Sequence, residues 1–188
     1  TLADNPSFYA LRSNQNISPS GANNSITLTS GGLILTGGII NPVAGGVVNA
    51  MSLNFGPGGS GEAFIYNGVG TSTIYAQINA GQGLTKFGPN QLTLYGIHPG
   101  IGDDVVINEG TLFARLPFSG TGSPVGQVFN GQDVILNSGA LVLEPFIANA
   151  AGTASEIASS VRAQALFDSD VYVRGDATIG NNGNAQYA

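Results

Sequence analysis

The chain has no cysteine and no tryptophan, a single histidine, and only five cations. Without cysteine there are no disulfides and no thiolate metal sites, so a small disulfide-stapled scaffold is excluded. With His98 as the one imidazole, a zinc site has almost no ligands to draw on. A Gly-x-Ser-x-Gly elbow is also missing, which leaves a serine triad without its nucleophile. Charged residues make up 9% of the chain, against a usual quarter. The cations, Arg12, Lys86, Arg115, Arg162 and Arg174, are scattered through a chain of net charge -6. No basic patch exists, which argues against nucleic acid and anionic membrane surfaces as partners. No apolar run approaches the roughly 18–20 residues that span a bilayer, so no transmembrane segment is expected. A charged-then-apolar leader does not open the chain. Thr1 reads either as a mature terminus left by cleavage or as the cut end of a longer protein.

What the chain does have is glycine, 29 residues of 188, together with abundant Ser, Thr and Asn. Disorder is not implied, because 42% of residues are hydrophobic and fall into short β-branched runs. The length suits one domain with a core of its own. The most informative stretch is Gly83 to Leu112, GLTKFGPNQLTLYGIHPGIGDDVVINEGTL. Three short strand patterns lie in it: 84–87, 92–95 and 105–107. Each is cut off by a turn written in Gly, Pro, Asn or Asp, the punctuation of an all-β chain.

The phrases GLTKFGPNQLTLYG and VVINEGTL resemble the autotransporter-associated β-strand repeat of bacterial surface proteins, also called the passenger-associated transport repeat. The family pattern is Gly-Leu-Thr-Lys, an apolar residue or Thr, Gly, a short turn, Leu-Thr-Leu, a gap, then Val-x-Ile/Val-x-x-Gly-Thr-Leu. The match spans about one repeat. The resemblance implies secretion and display on the bacterial cell surface, with the repeat serving as scaffold and no residue carrying catalysis.

Independently of that resemblance, VVINEGTLFA aligns with VILNSGALVL further on, an internal repeat with Gly110 and Gly139 in corresponding places. Self-similarity at such a period marks a solenoid. The expected fold is therefore all-β, a right-handed parallel β-helix (solenoid). Its inward positions would form stacked aliphatic ladders, with Gly and Asn at tight corners. Residues 1–24 read as an irregular N-terminal segment, in which Phe8, Tyr9 and Leu11 form a first strand or an apolar plug. Residues 25–146 read as the repeat coils. In 25–40, Ile26 and Leu28 alternate with Thr27 and Thr29, and Gly31-Gly32 reads as a turn into 33–35. Residues 147–166 break the grammar, with Ile157, Val161 and Leu166 near helical spacing; a short flanking helix and an irregular loop are equally compatible. Residues 167–188 return to strand grammar as a final coil with an open C-terminal end. An open strand edge must be capped or paired, which points to a homo-oligomer or polymer joined through coil ends, or to a continuation of the chain.

Candidate chemistry is thin. His98, in the turn YGIHPG, reads as a solvated turn residue. Carboxylates are the one catalytic option, since acid–base work on polysaccharides needs two or three acids on one face. The candidates are Asp103 and Asp104 in a turn, Asp168 with Asp170, and Glu109 with Glu144 on adjacent coils; the simpler reading is turn-forming or solvated acids. A hard cation at DSD or GDD is conceivable from the oxygen ligands, but the glycine-rich nonapeptide of calcium β-rolls is absent. Lys86 reads as structural, its stem lying over neighbours and its ammonium in water. Tyr66, Tyr75, Tyr95 and Tyr172 form either a carbohydrate-binding stripe or ordinary aromatic packing.

The functional expectation is a noncatalytic bacterial cell-surface or extracellular structural protein: an adhesin-like passenger, a surface-layer subunit or a filament subunit. No catalytic, cofactor-binding or metal residues are assigned, and no cofactor is expected. The alternative is a polysaccharide-acting or carbohydrate-binding protein on the same scaffold, with surface glycans as partners.

Overall fold

The structure is a computed structural model that describes residues 5–18, 24–40, 51–116, 128–129, 131–145 and 169–181. Its elements are strands: β1 (Ser7–Ser13), β2 (Asn24–Leu35), β3 (Ile39–Ile40), β4 (Met51–Phe55), β5 (Ala63–Asn67), β6 (Ser72–Ile74), β7 (Gln77–Ala80) and β8 (Leu84–Phe87). There follow β9 (Gln91–Tyr95), β10 (Gly100–Ile101), β11 (Val105–Ile107), β12 (Thr111–Leu116), β13 (Val134–Leu136), β14 (Gly139–Pro145), β15 (Val171–Val173) and β16 (Ala177–Asn181). Among the described residues there is no α-helix, only a 3-10 turn at Pro57–Gly59. No helix among them is long and apolar enough to cross a membrane. The helix or loop expected at 147–166 lies outside the described residues.

The strands form two sheets, and every pairing between them is parallel. The first sheet runs β10-β7-β4-β2-β5-β8-β11-β13-β15, with β1 also on β2; the second runs β16-β14-β12-β9-β6-β3. Strands of the sequence repeat land in register: Val105 pairs with Val134, and Thr111 with Ala140. Gly31-Gly32 does not end a strand as expected. Instead β2 continues through it and changes partner, with residues 24–28 on β4 and 32–35 on β5. The buried phase shifts there from Ile26 and Leu28 to Leu33 and Leu35. The segment 72–80, by contrast, holds two strands, β6 in the second sheet and β7 in the first.

Alternation fixes which side chains face inward. In β4, Met51, Leu53 and Phe55 are buried while Ser52 and Asn54 are half-buried. Parallel register then lines up like with like. One inward row of the first sheet reads Leu11, Leu33, Ile65, Lys86, Ile107, Leu136 and Val173 on successive strands. A row of the second sheet reads Ser72, Leu92, Leu112, Leu141 and Ile179. Their apolar members from Leu11 to Leu136 and from Leu92 to Leu141 belong to one apolar core. Amide pairs accompany them: Asn79 Nδ2 of β7 donates to Asn54 Oδ1 of β4, and in the turns Asn137 Nδ2 donates to Asn108 Oδ1, both at 2.7 Å.

The turn between β11 and β12 stacks directly on its counterpart between β13 and β14. Gly110 and Gly139 occupy the same corner at φ +70° and +86°. A Cβ on Gly110 would stand 2.5 Å from the Gly88 carbonyl oxygen, and one on Gly139 would stand 2.2 Å from that of Gly110. Gly110→Ala is therefore expected to combine positive-φ strain of about 1–2 kcal/mol with a backbone clash of about 1–3 kcal/mol. Gly70, at φ +62° with open space around it, should show the first cost alone when changed to Ala. Urea denaturation of the two variants measures the difference; equal losses would refute the stacked corner.

Candidate functional site

Register decides where the candidate acids meet. Asp104, Asp133 and Asp170 each precede the first residue of a strand, and those first residues, Val105, Val134 and Val171, are mutual partners. Three aspartates therefore stand at equivalent positions along one margin of the first sheet. The Asp170 amide donates to Asp133 Oδ1 at 3.2 Å, and Asp103 Oδ1 accepts the Asp104 amide at 2.9 Å. Tyr172 sits beside this row, its hydroxyl 3.5 Å from Asp170 Oδ2. The charges of Asp133 and Asp170 raise its pKa above the usual value. Asp133 was not singled out from the sequence; its position one residue before a repeat strand was the available signal. Asp168 lies outside the described residues. Glu109 and Glu144 are not stacked on each other as expected: Glu109 is in the turn before β12, whereas Glu144 pairs through the backbone with Arg115. Among the described residues no group of three or more His, Asp or Glu is arranged to hold a metal ion.

Two polar side chains that the sequence suggested were wet are buried. His98 is 0% exposed. Its amide donates to the Val128 carbonyl at 3.2 Å, while its Nδ1 accepts the amide of Ile78 in β7 at 3.3 Å. Nε2 is buried and has no hydrogen-bond partner. A neutral ring is what such a place requires, and burial lowers the pKa from 6.5 to about 4.

Lys86 occupies an inward position between Ile65 and Ile107 and is 0% exposed. Its ammonium is not in water. Nζ donates to the carbonyls of Gly88 and Glu109, each at 2.7 Å, with a longer contact of 3.4 Å to that of Phe87. Burial lowers its pKa to about 8, and the charge of Glu109 acts in the opposite direction. At neutral pH the ammonium is retained and ties two stacked turns together. The ammonium makes these contacts from inside the fold, not from water as the sequence suggested.

The four tyrosines do not make one stripe. Tyr66 and Tyr172 project from the first sheet and are 44% and 45% exposed. Around Tyr66 lie exposed Ile34 and Phe87, its register partners, and Phe64. Tyr75 and Tyr95 belong to the second sheet, where their ring centroids are 4.7 Å apart with planes tilted by 43°. The Arg115 guanidinium carbon lies 5.3 Å from the centre of the Tyr95 ring, a cation–π contact. These three groups form one wall of a cavity of about 330 Å³ on the outer face of β6, β9 and β12. Thr73, Thr93, Gln91 and Phe113 complete it. Phe113 and Arg115 were not foreseen as members.

No protein-family model, curated protein or solved structure matches the chain.

Two predictions concern the buried polar groups. For His98 the folded pKa of about 4 lies below the ordinary 6.5. The unfolded chain thus binds the extra proton first, and stability held above pH 6.5 is lost as pH falls toward 4. The loss amounts to about 3 kcal/mol. Denaturation curves at pH 7 and pH 4.5 should show a clearly smaller acid loss for His98→Asn than for the parent chain; equal losses would contradict the assignment. Lys86→Met keeps the stem but leaves the carbonyls of Gly88 and Glu109 without their donor, at a cost of about 1–3 kcal/mol. A midpoint in urea unchanged from the parent would show that the ammonium contributes nothing.

Proposed function

We propose that the chain is a noncatalytic structural module, wound as a right-handed parallel β-solenoid and working at the bacterial cell surface or outside the cell. The winding accounts for the parallel order of both sheets: β8, β11 and β13 follow one another in the first as β9, β12 and β14 do in the second. It also accounts for the alternation of the chain between sheets and for turns that stack on turns. The surface location rests on the resemblance of Gly83 to Leu112 to the autotransporter-associated repeat. A scaffold role fits the rows of like residues, because such rows make a stiff body whose outer faces are free to vary.

The observation that carries this reading is at one margin of the molecule. Val173 and Ile179 continue two core rows, beyond Leu136 and Leu141, yet they are 54% and 53% exposed. Their strands, β15 and β16, each pair with one described neighbour. An edge whose strands have one partner each among the described residues, and which carries exposed apolar side chains, favours strand addition. In our reading this edge receives another tier of parallel strands from a second copy, giving an adhesin-like passenger, a surface layer or a filament.

Light scattering across a concentration series, with negative-stain electron microscopy, tests it. Association that grows with concentration is expected, and Val173→Lys with Ile179→Lys should abolish it while the circular dichroism spectrum stays that of the parent. A chain that remains monomeric at high concentration, or whose assembly ignores both lysines, would overturn the end-to-end reading.

A further inference from the structure

The cavity on the second sheet has a shape that follows from its rows. Its middle row holds Thr73, Thr93 and Phe113, which are register partners on β6, β9 and β12. Threonine is the smaller residue, so the first two make a low floor, and Phe113 rises as a step at its end. Tyr75, Tyr95 and Arg115 stand along one side, with Tyr95 and Arg115 again register partners. Gln91 stands across from them. Its Nε2 donates to Thr93 Oγ1 at 3.1 Å, and Thr93 is only 7% exposed. The Thr93 hydroxyl and the Gln91 amide are therefore held in place by each other. Tyr75 is anchored by its own backbone, whose amide donates to the Ile40 carbonyl at 3.0 Å.

We infer that this groove is a binding site for a neutral saccharide. A sugar ring has an apolar face of C–H groups and a rim of hydroxyls. It needs an aromatic surface on one side and fixed donors and acceptors around it. The paired Tyr75 and Tyr95 rings supply the surface, while Thr73, Gln91 and Arg115 surround it with hydrogen-bonding groups. Rigid aromatic anchors beside a few ordered polar groups are the general composition of a ligand site. Strands spaced ~4.8 Å apart, each adding a similar row, would let a chain of sugar units lie along the stack.

A polyanion is disfavoured. Arg115 is the one charged residue of the lining, and the net charge of the chain is -6. An apolar peptide is disfavoured as well, since Thr and Gln occupy the floor and one side. The inference depends only on the outer face of the second sheet. It stands apart from association through β15 and β16, so either can fail alone.

The experiment is titration of the full chain with neutral gluco-, galacto-, manno- and xylo-oligosaccharides, followed by calorimetry and tyrosine fluorescence, with uronate-bearing oligosaccharides alongside. At least one neutral series should bind. Tyr95→Ala and Tyr75→Ala should each weaken it tenfold or more, Tyr95→Phe should retain most of it, and Tyr66→Ala, on the other sheet, should leave it unchanged. Thermal midpoints of the variants guard against unfolding, and Tyr95→Phe keeps the ring if Tyr95→Ala proves unstable. Absence of binding to every neutral series at millimolar concentration, binding that survives Tyr95→Ala, or binding of the uronates alone would overturn the inference.

Discussion

Parallel hydrogen bonding between strands in strict register is the constraint from which the rest of this structure descends. A parallel partner can be reached only after a long return path, so each strand must leave its sheet and come back. The register then places a residue over its equivalent on the next strand, and alternation sends both to the same side. A leucine at one level demands something of similar volume at the next. The row from Leu11 to Val173 satisfies this at every level but one. The turns obey the same rule more severely. Where backbone stacks on backbone, as at Gly110 and Gly139, no Cβ fits.

Polar groups inside such a body have to be satisfied by backbone, because the side-chain neighbours are aliphatic. Lys86 meets this demand by reaching into the turns, where Gly88 and Glu109 present carbonyls that the ladder does not use. His98 meets half of it through Ile78. The two lie on opposite sides of neutral pH: the lysine keeps its proton there and the imidazole sheds its own. The outer faces have no such discipline. There the rows show what selection for something other than packing permits: an exposed apolar set around Tyr66 on one sheet, and a tyrosine-walled groove on the other.

Much of the strand layout was legible. Patterns at 84–87, 92–95 and 105–107 match β8, β9 and β11 to within a residue, because alternation and turn punctuation are local signals. The 29-residue repeat reappears as the amide contact between Asn108 and Asn137, 29 positions apart. Less was legible of the sites. His98 beside Pro99 reads locally as an exposed turn, yet its ring lies against the β7 backbone at Ile78 and its amide against the Val128 carbonyl, where it is buried. Lys86 lies within the best-matched phrase, but nothing in a strand pattern says that a lysine points inward. Asp103 was grouped with Asp104 and Asp168 with Asp170 by proximity in sequence, while register places Asp104 level with Asp133 and Asp170. The tyrosines were grouped as one type, yet only Tyr75 and Tyr95 meet, while Tyr66 and Tyr172 stand on separate strands of the other sheet.

The sequence by itself determined the all-β character of the described residues, the place of the strands in 84–107, and which chemistry is unavailable to the chain: no thiolate, one imidazole, few charges. These are properties of composition and of neighbours within a few residues. The tertiary structure alone decided which residues meet, since partners one level apart are separated by twenty or more positions and their alignment depends on the length of every intervening turn. That is why Thr73, Thr93 and Phe113 form one row, why Tyr95 stands between Tyr75 and Arg115, and why a histidine and a lysine ended up inside.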